Sequence, residues 1–505
     1  MIHTMTRTLV LLAALTGAAL PGHGGITDAG EYLKKNVVTK KLPNGITVIL
    51  LNRGYAPVLA FEISFRVGSV DESYRTMGAA HLLEHMLFKG TDVIGTRDFR
   101  KERAIMGRME AIGETIDRLK LTDPGNTRLP DLEAELRRLE KEQARYVESS
   151  PYDRIYTENG GVGLNASTSK DKTGYYIELP ASKLELWAQL ESARLDNPVL
   201  REFYLERNNV LQERLMHYDS LGSGMLFEQF QAAAFQAHPY RHPIIGWRSN
   251  IPYLSVEDIR KFYHDYYIPS RMTITVVGMQ DTERTFRVID RYFGKLPPRA
   301  DPPPVSVREP AQMGERRFEI YFESSPQLMI GWHKPSFPSR DDYICEMLQE
   351  LLAGGKSSRL YRSLVIEKKI ATSVSAWNGL PGSRFDNLFT IFASPAPPHT
   401  AEELEKAIYD EMDRMFDDLS DKELRKVVNS MESDLVFELE TNKGLAGQLS
   451  YHQTVFGDWR YIVDYLPVIR SITAADIKGL KGKYFAKNNR TVGILKDSRP
   501  GEGKK

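Results

Sequence analysis

Two segments of the chain repeat one pattern at a fixed distance. A helix-start pattern at Val256–Arg260 and an apolar strand pattern at Thr273–Val277 recur at Ala474–Lys478 and Thr491–Leu495, each 218 residues downstream. In both copies a Ser or Thr precedes the helix, as an N-cap does. Similarity at a constant offset indicates a duplicated structural unit. The chain is therefore predicted to contain two homologous halves.

A proline-rich segment separates these halves. Six of the residues between positions 296 and 312 are proline, a composition that favours an extended connection over a helix or a central strand. With 505 residues, the chain also exceeds the size that one hydrophobic core usually serves. We predict a first domain over 35–296, a linker over 297–312 and a second domain over 313–497.

Each half opens with strands, continues with helices and closes with a strand. Strand patterns open the halves near residues 46–50 and 318–322. This order predicts an α+β fold of two homologous domains, each a mainly antiparallel sheet with helices packed on one face. The first half also carries an inserted helical pattern at about 103–150. We expect an αα-hairpin there, which acts either as a solvated charged arm or as a substrate gate.

Composition excludes several classes of protein. The 67 basic and 67 acidic residues leave no net charge, so no electrostatic footprint for nucleic acid or a membrane surface is present. Cys345 is the single cysteine, which excludes an internal disulfide and a cysteine-rich metal site. The apolar run at 9–20 is too short to span a bilayer and is typical of a secretory signal. We predict a signal peptide over 1–25 and a periplasmic or secreted protein whose mature chain has no membrane span.

The stretch His81-Leu82-Leu83-Glu84-His85 has the spacing that metal chemistry requires. Positions i and i+4 of a helix share a face, so the two histidines can offer imidazole nitrogens to one metal ion. The glutamate can take a proton from a metal-activated water as a general base. The order H-x-x-E-H is the inverzincin signature. The alternative is a packed helix whose buried histidines find ordinary hydrogen-bond partners, and the pentapeptide alone does not decide between the two.

A third ligand is expected on a separate helix. Glu206 and Glu213 lie two helical turns apart, so they face the same way. Glu213 would complete a three-residue metal site, and Glu206 would orient a ligand from behind it. Glutamates seven residues apart are also common on solvated helices, so the spacing leaves both interpretations open.

Together these motifs resemble a known family. The segments His81–His85, Phe88–Thr91, Asn165–Thr168 and Glu206–Glu213 occur in the order found in the pitrilysin, insulysin and mitochondrial processing peptidase family of inverzincin zinc peptidases. The resemblance extends from Leu42 to Leu495, and it is greatest to bacterial exported peptidases with two homologous halves.

The resemblance implies a zinc metalloendopeptidase that cleaves peptides or unfolded segments. It implies one Zn²⁺ per chain, bound by His81, His85 and Glu213. Glu84 matches the general base and Glu206 the acidic residue that supports the site. The distance from His85 to Glu213 is longer than usual in the family, and the helical insert accounts for the excess.

A substrate-binding edge is expected near Asn165, Ala166 and Ser167. The segment from Asn165 to Leu179 is predicted to be a strand entered from Gly160-Gly161. An exposed edge strand can hold an extended peptide through main-chain hydrogen bonds, and the resembled family uses its matching strand in this way. An ordinary edge strand with a polar turn is the alternative.

The second half departs from the first in its chemistry. Glu346–Glu350 occupies the place where the zinc motif would repeat, and it contains no histidine, so this half is expected to bind no zinc. One-chain relatives supply an Arg and a Tyr, seven residues apart, that reach the substrate. Here Val365 and Thr372 fall at those positions.

The resemblance therefore implies a second homologous subunit that supplies the Arg and Tyr, as a heterodimer or alternatively a homodimer. Arg359 and Tyr361 are local candidates for the same role, although packing near the Gly354–Ser358 loop is the favoured interpretation for both. A second hypothesis for the whole chain is an inactive or structural peptide-binding subunit of a peptidase assembly.

Overall fold

The structure, a computed structural model, describes residues 27–54 and 56–498. The predicted signal peptide at 1–25 lies outside the described residues. The described strands are β1 Val37–Lys41, β2 Thr47–Asn52, β3 Val58–Phe65, β4 Val162–Thr168, β5 Thr173–Pro180, β6 Met272–Gly278, β7 Arg316–Phe322, β8 Gln327–Lys334, β9 Ala371–Leu380, β10 Asn387–Pro395 and β11 Arg490–Asp497.

These strands form two sheets with one strand order. The first sheet runs β1-β2-β6-β3-β5-β4 and the second β7-β11-β8-β10-β9. Apart from the extra edge strand β1, the two orders match: β6 lies between β2 and β3, as β11 lies between β7 and β8. Each inserted strand is parallel to the earlier of its two neighbours and antiparallel to the later one. All other pairs are antiparallel. The predicted α+β class with two homologous, mainly antiparallel halves is confirmed.

Helices supply the remaining layers. Their bounds are α1 Thr27–Asn36, α2 Ala79–Met86, α3 Phe99–Thr122, α4 Leu129–Gln143, α5 Pro151–Glu158, α6 Leu184–Asp196, α7 Phe203–Arg214, α8 Gly222–Ala234, α9 Val256–Tyr266, α10 Thr282–Phe293, α11 Arg340–Ala353, α12 Ala401–Asp418, α13 Asp421–Glu440, α14 Asn442–Tyr451, α15 Tyr461–Arg470 and α16 Ala474–Tyr484. None of the helices within 27–54 and 56–498 is both long and apolar enough to cross a membrane.

The repeat seen in the sequence appears as matching elements. Helices α9 and α16 both begin after a capping box, Ser255 with Asp258 and Thr473 with Asp476. Each helix leads into the central strand of its sheet, β6 or β11. The offset of 218 residues also relates Phe203 and Asp421, where α7 and α13 start. The duplication therefore extends further upstream than the sequence pattern indicated.

Each half covers the second face of the other half's sheet. Besides the helices of its own half on one face, the first sheet packs against Leu445 and Leu449 of α14. The second sheet packs against Leu226 and Phe230 of α8. The prediction placed helices on one face only, because a sequence pattern does not say which half a helix packs on. This reciprocal exchange of helices joins the two halves through apolar burial.

Two predicted segments take a more detailed form. The insert is an αα-hairpin made of α3 and α4, with its loop at 123–128. The single strand expected from Asn165 to Leu179 is a β-hairpin of β4 and β5, because the polar run after Thr168 makes a tight turn. In that turn the Ser169 amide donates to the Lys172 carbonyl at 2.8 Å, and the Ser169 hydroxyl accepts from the Asp171 amide.

Candidate metal centre

Helix α2 is set in place by the residues before it. Gly78 has a φ of 94°, a left-handed conformation that glycine adopts at little cost. The carboxylate of Glu72 accepts hydrogen bonds from the Gly78 amide at 3.0 Å and the Ala80 amide at 2.8 Å, so it satisfies free donors at the helix start. Leu82 and Leu83 are fully buried. The helix is therefore fixed on one side, and its histidines face α7.

The three predicted ligands converge. The Glu213 Oε2 atom lies 3.8 Å from His81 Nε2 and 3.7 Å from His85 Nε2. One ligand atom from each residue can be chosen so that all three lie within 4.8 Å of one another. Burial and the neighbouring His85 lower the pKa of His81 to about 3, so this imidazole is neutral near pH 7, the form that binds metals. Glu213, which spacing alone left undecided, lies beside the two histidines, where a third ligand would have to be.

Glu206 lies behind His85. Its Oε2 atom is 3.4 Å from His85 Nδ1, on the opposite side of the ring from Glu213. Its Oε1 atom is 2.6 Å from the Lys89 ammonium, which also donates to Glu202 at 2.9 Å. Burial acts to raise the pKa of Glu206, but these bonds to His85 and Lys89 lower it to about 2. A charged carboxylate here orients the His85 ring and makes it a stronger ligand.

Glu84 faces the same space and has its own partner. The Thr168 hydroxyl, at the end of β4, donates to Glu84 Oε2 at 2.5 Å. Burial holds the pKa of Glu84 above its usual value, with the Thr168 bond acting against it. A carboxylate with a raised pKa is a better proton acceptor near neutral pH. Thr168 thus links the general-base candidate to the candidate substrate strand.

The donor set fits zinc. Two imidazole nitrogens and one carboxylate oxygen from three side chains match a hydrolytic zinc site, which keeps a further position open. The Glu213 side chain is 37% exposed and that of His85 is 30% exposed, so the centre opens to solvent on one side. Three ligands with an accessible face is an arrangement for catalysis, whereas a structural site would be closed.

The candidate substrate strand borders this opening. β4 is the last strand of the first sheet, with Asn165 and Ser167 exposed and Ala166 buried. A cavity of about 340 Å³ lies between β4 and α2. Its lining includes Glu84, His85, Phe88, Asn165 and the segment 147–151 that follows α4. An extended peptide paired to β4 would pass directly beside Glu84.

Comparison with known proteins agrees with this centre. A family model described as "Insulinase (Peptidase family M16)" matches residues 47–113 and 148–247, and one described as "Peptidase M16 inactive domain" matches 253–431. The chain belongs to the M16 peptidase family, with its two-half architecture. The half of this M16 protein that carries the HxxEH motif is the one that matches the insulinase model, and the inactive-domain match runs from the end of that half into the second.

Relatives of this M16 chain span nearly its whole length. "Zinc protease PqqE" of Helicobacter pylori is 26% identical over 96% of this chain and 98% of its own. "Probable mitochondrial-processing peptidase subunit beta, mitochondrial" of Arabidopsis thaliana is 24% identical over 92% and 78%. The crystal structure of a protease from Helicobacter pylori superposes with a TM-score of 0.77 at 25% identity, covering 91% of this chain and 99% of that one.

Arg359 and Tyr361, the local candidates for the expected Arg and Tyr, have partners within the second half of this M16 chain. Arg359 is held within that half by Asp418 at 2.7 Å and Glu423 at 2.8 Å, and Tyr361 packs against the second core. Thr372 is on β9, where its hydroxyl donates to the Ser394 carbonyl at 3.2 Å. The local candidates are thus structural, as the favoured interpretation held.

Sequence reasoning assigned no role to three groups that support the centre. They are Thr168 on Glu84, Lys89 on Glu206, and Arg201, whose guanidinium bonds the Glu102 carboxylate at 2.9 Å. Lys89 carries the only available signal, because it follows His85 by four residues. The partners of Thr168 and Arg201 are 84 and 99 residues away, so no local pattern could have indicated them.

Proposed function

We propose that this chain is a zinc metalloendopeptidase that cleaves peptides or unfolded segments. The observation that carries the proposal is the convergence of His81, His85 and Glu213 within 4.8 Å, with Glu84 facing the same opening beside β4. The family and the names of its relatives support peptide-bond hydrolysis with zinc. Zinc, one ion per chain, would be held by the two imidazoles and the Glu213 carboxylate.

Each residue of the centre has its own role in the proposed reaction. Zinc at such a site lowers the pKa of water and polarises a carbonyl. Glu84 accepts the proton from the attacking water and delivers it to the leaving amine. Thr168 holds the Glu84 carboxylate toward β4 through its hydroxyl. Glu206, kept charged by Lys89, fixes the ring of His85.

The exposed edge of the first sheet is the proposed binding surface for the substrate. A peptide that adds to β4 as a further strand receives main-chain hydrogen bonds over its length, and its side chains alternate between the two faces. Asn165 lines the opening, and Ala166 and Ser167 lead from it to Thr168, which contacts Glu84. Main-chain recognition suits extended or unfolded segments, because a folded substrate has no free strand to offer.

The partner proposal rests on what the second half lacks. Val365 and Thr372 offer neither a guanidinium nor a phenol, and Arg359 is engaged in ion pairs within its own half. We infer that a homologous M16 chain supplies these groups in a heterodimer, with a homodimer as the alternative. The two chains would close around an extended peptide. The signal-like N-terminus supports a periplasmic or secreted location.

A second function is favoured by one specific observation. The same missing Arg and Tyr would suit a chain that binds peptide within a larger assembly and leaves cleavage to its partner. Such an inactive or structural subunit would have little use for a complete ligand set, a supporting Glu206 and a positioned Glu84. The peptidase proposal therefore accounts for more of the centre.

The decisive experiment assays zinc-loaded protein and Glu84→Gln against a mixture of unstructured peptides. Each is tested alone and with a co-expressed M16 chain that carries the Arg and Tyr. We expect cleavage with the partner, a fall in kcat of about 10²–10⁴-fold in Glu84→Gln, and equal zinc contents. Peptide binding without cleavage in every combination would establish the subunit hypothesis instead. Full activity of the isolated chain would refute the proposal that a partner chain supplies the Arg and Tyr.

A further inference from the structure

Residues 114–147, which include most of the helical hairpin α3–α4, lie outside the family match. The match to the M16 insulinase model stops at residue 113 and resumes at residue 148, and the intervening residues form the C-terminal part of α3, the loop and all of α4. The sequence predicts either a solvated charged arm or a substrate gate, and both stay predictions. In the structure, α3 contacts α7, the helix that carries Glu206 and Glu213.

A bidentate ion pair joins the two elements. Arg207 of α7 donates from Nη1 to Asp117 Oδ2 at 2.6 Å and from Nη2 to Asp117 Oδ1 at 3.0 Å. The two side chains are only 10% and 14% exposed. Arg207 Nη1 also donates to the Leu254 carbonyl at 2.8 Å. Two parallel hydrogen bonds between planar groups fix orientation as well as distance, and Arg207 is the residue next to Glu206.

A close backbone approach adds a second contact. A Cβ atom built on Gly113 of α3 would lie 2.1 Å from Cζ of Tyr204, so the tyrosine ring occupies the space that any other residue at 113 would fill. The Tyr204 hydroxyl donates to the Glu110 carbonyl at 3.3 Å. Because Tyr204 lies two residues before Glu206, it projects from the opposite side of α7. The hairpin therefore supports α7 from behind the metal-binding face.

A third contact links the segment just before α7 to the loop that follows α2. Arg201 pairs with Glu102 of α3, and both side chains are fully buried. The same guanidinium donates to the carbonyls of Thr91 and Ile94, in the loop that follows α2. One buried group thus sets the spacing between the segment that carries His81 and His85 and the helix that carries Glu213.

We propose that the α3–α4 hairpin is a brace that positions α7, and that Asp117 and Gly113 are positioning residues for the metal centre. The inference rests on the proposed function. Its physical basis is that Glu213 is the one proposed ligand that α2 does not carry, so its distance from the two histidines depends on where α7 lies. The Arg207–Asp117 pair, the Tyr204 ring against Gly113 and the Arg201–Glu102 pair fix that position from the hairpin side. The brace thereby keeps Glu213 within reach of the histidines.

The test compares Asp117→Asn with a matched control in the same hairpin. Glu133→Gln also removes one carboxylate, with its ion pairs to Lys120 at 2.7 Å and Arg137 at 4.0 Å. Both pairs lie within the hairpin and do not touch α7. Zinc affinity is measured by competition with a chromophoric chelator, and site geometry by the visible spectrum of the Co²⁺-loaded protein. We expect Asp117→Asn to weaken zinc binding by about tenfold and to alter the spectrum. Glu133→Gln should match the wild type in both.

Gly113→Ala provides a second variant if Asp117→Asn does not fold. Alanine is a better helix former than glycine, so α3 itself is stabilised while the new methyl group displaces Tyr204 and α7. The same loss of zinc affinity is expected. Wild-type affinity and spectrum in a folded Asp117→Asn or Gly113→Ala protein would overturn the brace and leave the proposed function intact. An equal loss in Glu133→Gln would also overturn it. If the wild-type chain itself binds no zinc, the proposed function fails and the brace fails with it.

Discussion

The two halves of the molecule share one arrangement of strands and helices, and they differ in the residues at matching positions of one helix. Helices α7 and α13 are related by the 218-residue offset, which pairs Glu206 with Leu424 and Glu213 with Met431. The two glutamates sit beside the histidines of α2, whereas Leu424 and Met431 are buried in the second core. The same helix position thus serves a polar centre in one half and apolar packing in the other.

Helices α2 and α11 differ in a similar way. Helix α2 follows β3 and α11 follows the matching strand β8. However, α11 carries no histidine, and its Glu346 accepts a hydrogen bond from Tyr465 at 2.7 Å. A cavity of about 320 Å³ remains beside it. The comparison shows one framework that carries two histidines on α2 and none on α11, and we expect both halves to fold without zinc. The following predictions test that division.

The largest effect is expected from Glu213→Ala. Loss of a direct ligand should weaken zinc binding by more than ~100-fold, since changes to groups behind the ligands alone cost about 10–100-fold. The thermal unfolding of the metal-free protein should barely move, because the Glu213 side chain is partly exposed. Elemental analysis and a thermal melt measure both quantities. Retained stoichiometric zinc would remove Glu213 from the ligand set.

Met431→Ala, at the matching position of α13, should destabilise the protein without changing its zinc affinity. Truncating a buried methionine costs about 2–5 kcal/mol, and the low end is expected because Met431 borders the cavity and its neighbours can relax. Zinc affinity should be unchanged. Denaturant unfolding with a zinc titration checks this. A loss of zinc binding comparable to that of Glu213→Ala would contradict the assignment of metal binding to α7 and of apolar packing to α13.

Glu206→Gln should weaken zinc binding by less than Glu213→Ala does. The amide keeps the size of the side chain but loses the charge that Lys89 and His85 share. We expect zinc affinity to fall by about 10–100-fold, and kcat to fall in zinc-saturated protein less than in Glu84→Gln. Chelator competition followed by assay at saturating zinc separates the two quantities. Unchanged affinity would show that Glu206 does not act through His85.

The smallest effect concerns Glu346 and depends on pH. Burial, opposed by the Tyr465 bond, raises the pKa of Glu346 to about 7. The folded protein therefore binds an extra proton between pH ~4.5 and ~7, and stability is lost as the pH rises through that window. Glu346→Gln removes this loss, so the variant should gain stability relative to the wild type as the pH rises from 4 to 8. A pH-independent difference would contradict the shift.

Much of this protein was predictable because the signals are local. The capped helices before β6 and β11, the HxxEH spacing on α2 and the helical insert all depend on residues within one or two turns of each other, where side-chain periodicity acts directly. The constant offset of 218 residues extended the prediction to two related halves. Glu206 and Glu213 were placed on one helix face by the same periodicity.

Other features were decided by tertiary structure alone. Periodicity identifies an apolar helix face but not what covers it, so the packing of α8 and α14 on the opposite half could not be predicted. The same limit applies to Thr168 on Glu84 and Asp117 on Arg207, whose partners are 84 and 90 residues away. The sequence by itself determined which residues could bind zinc. Only the fold determined that Glu213 reaches the two histidines, because that distance depends on how α7 packs against α2 and the hairpin behind it.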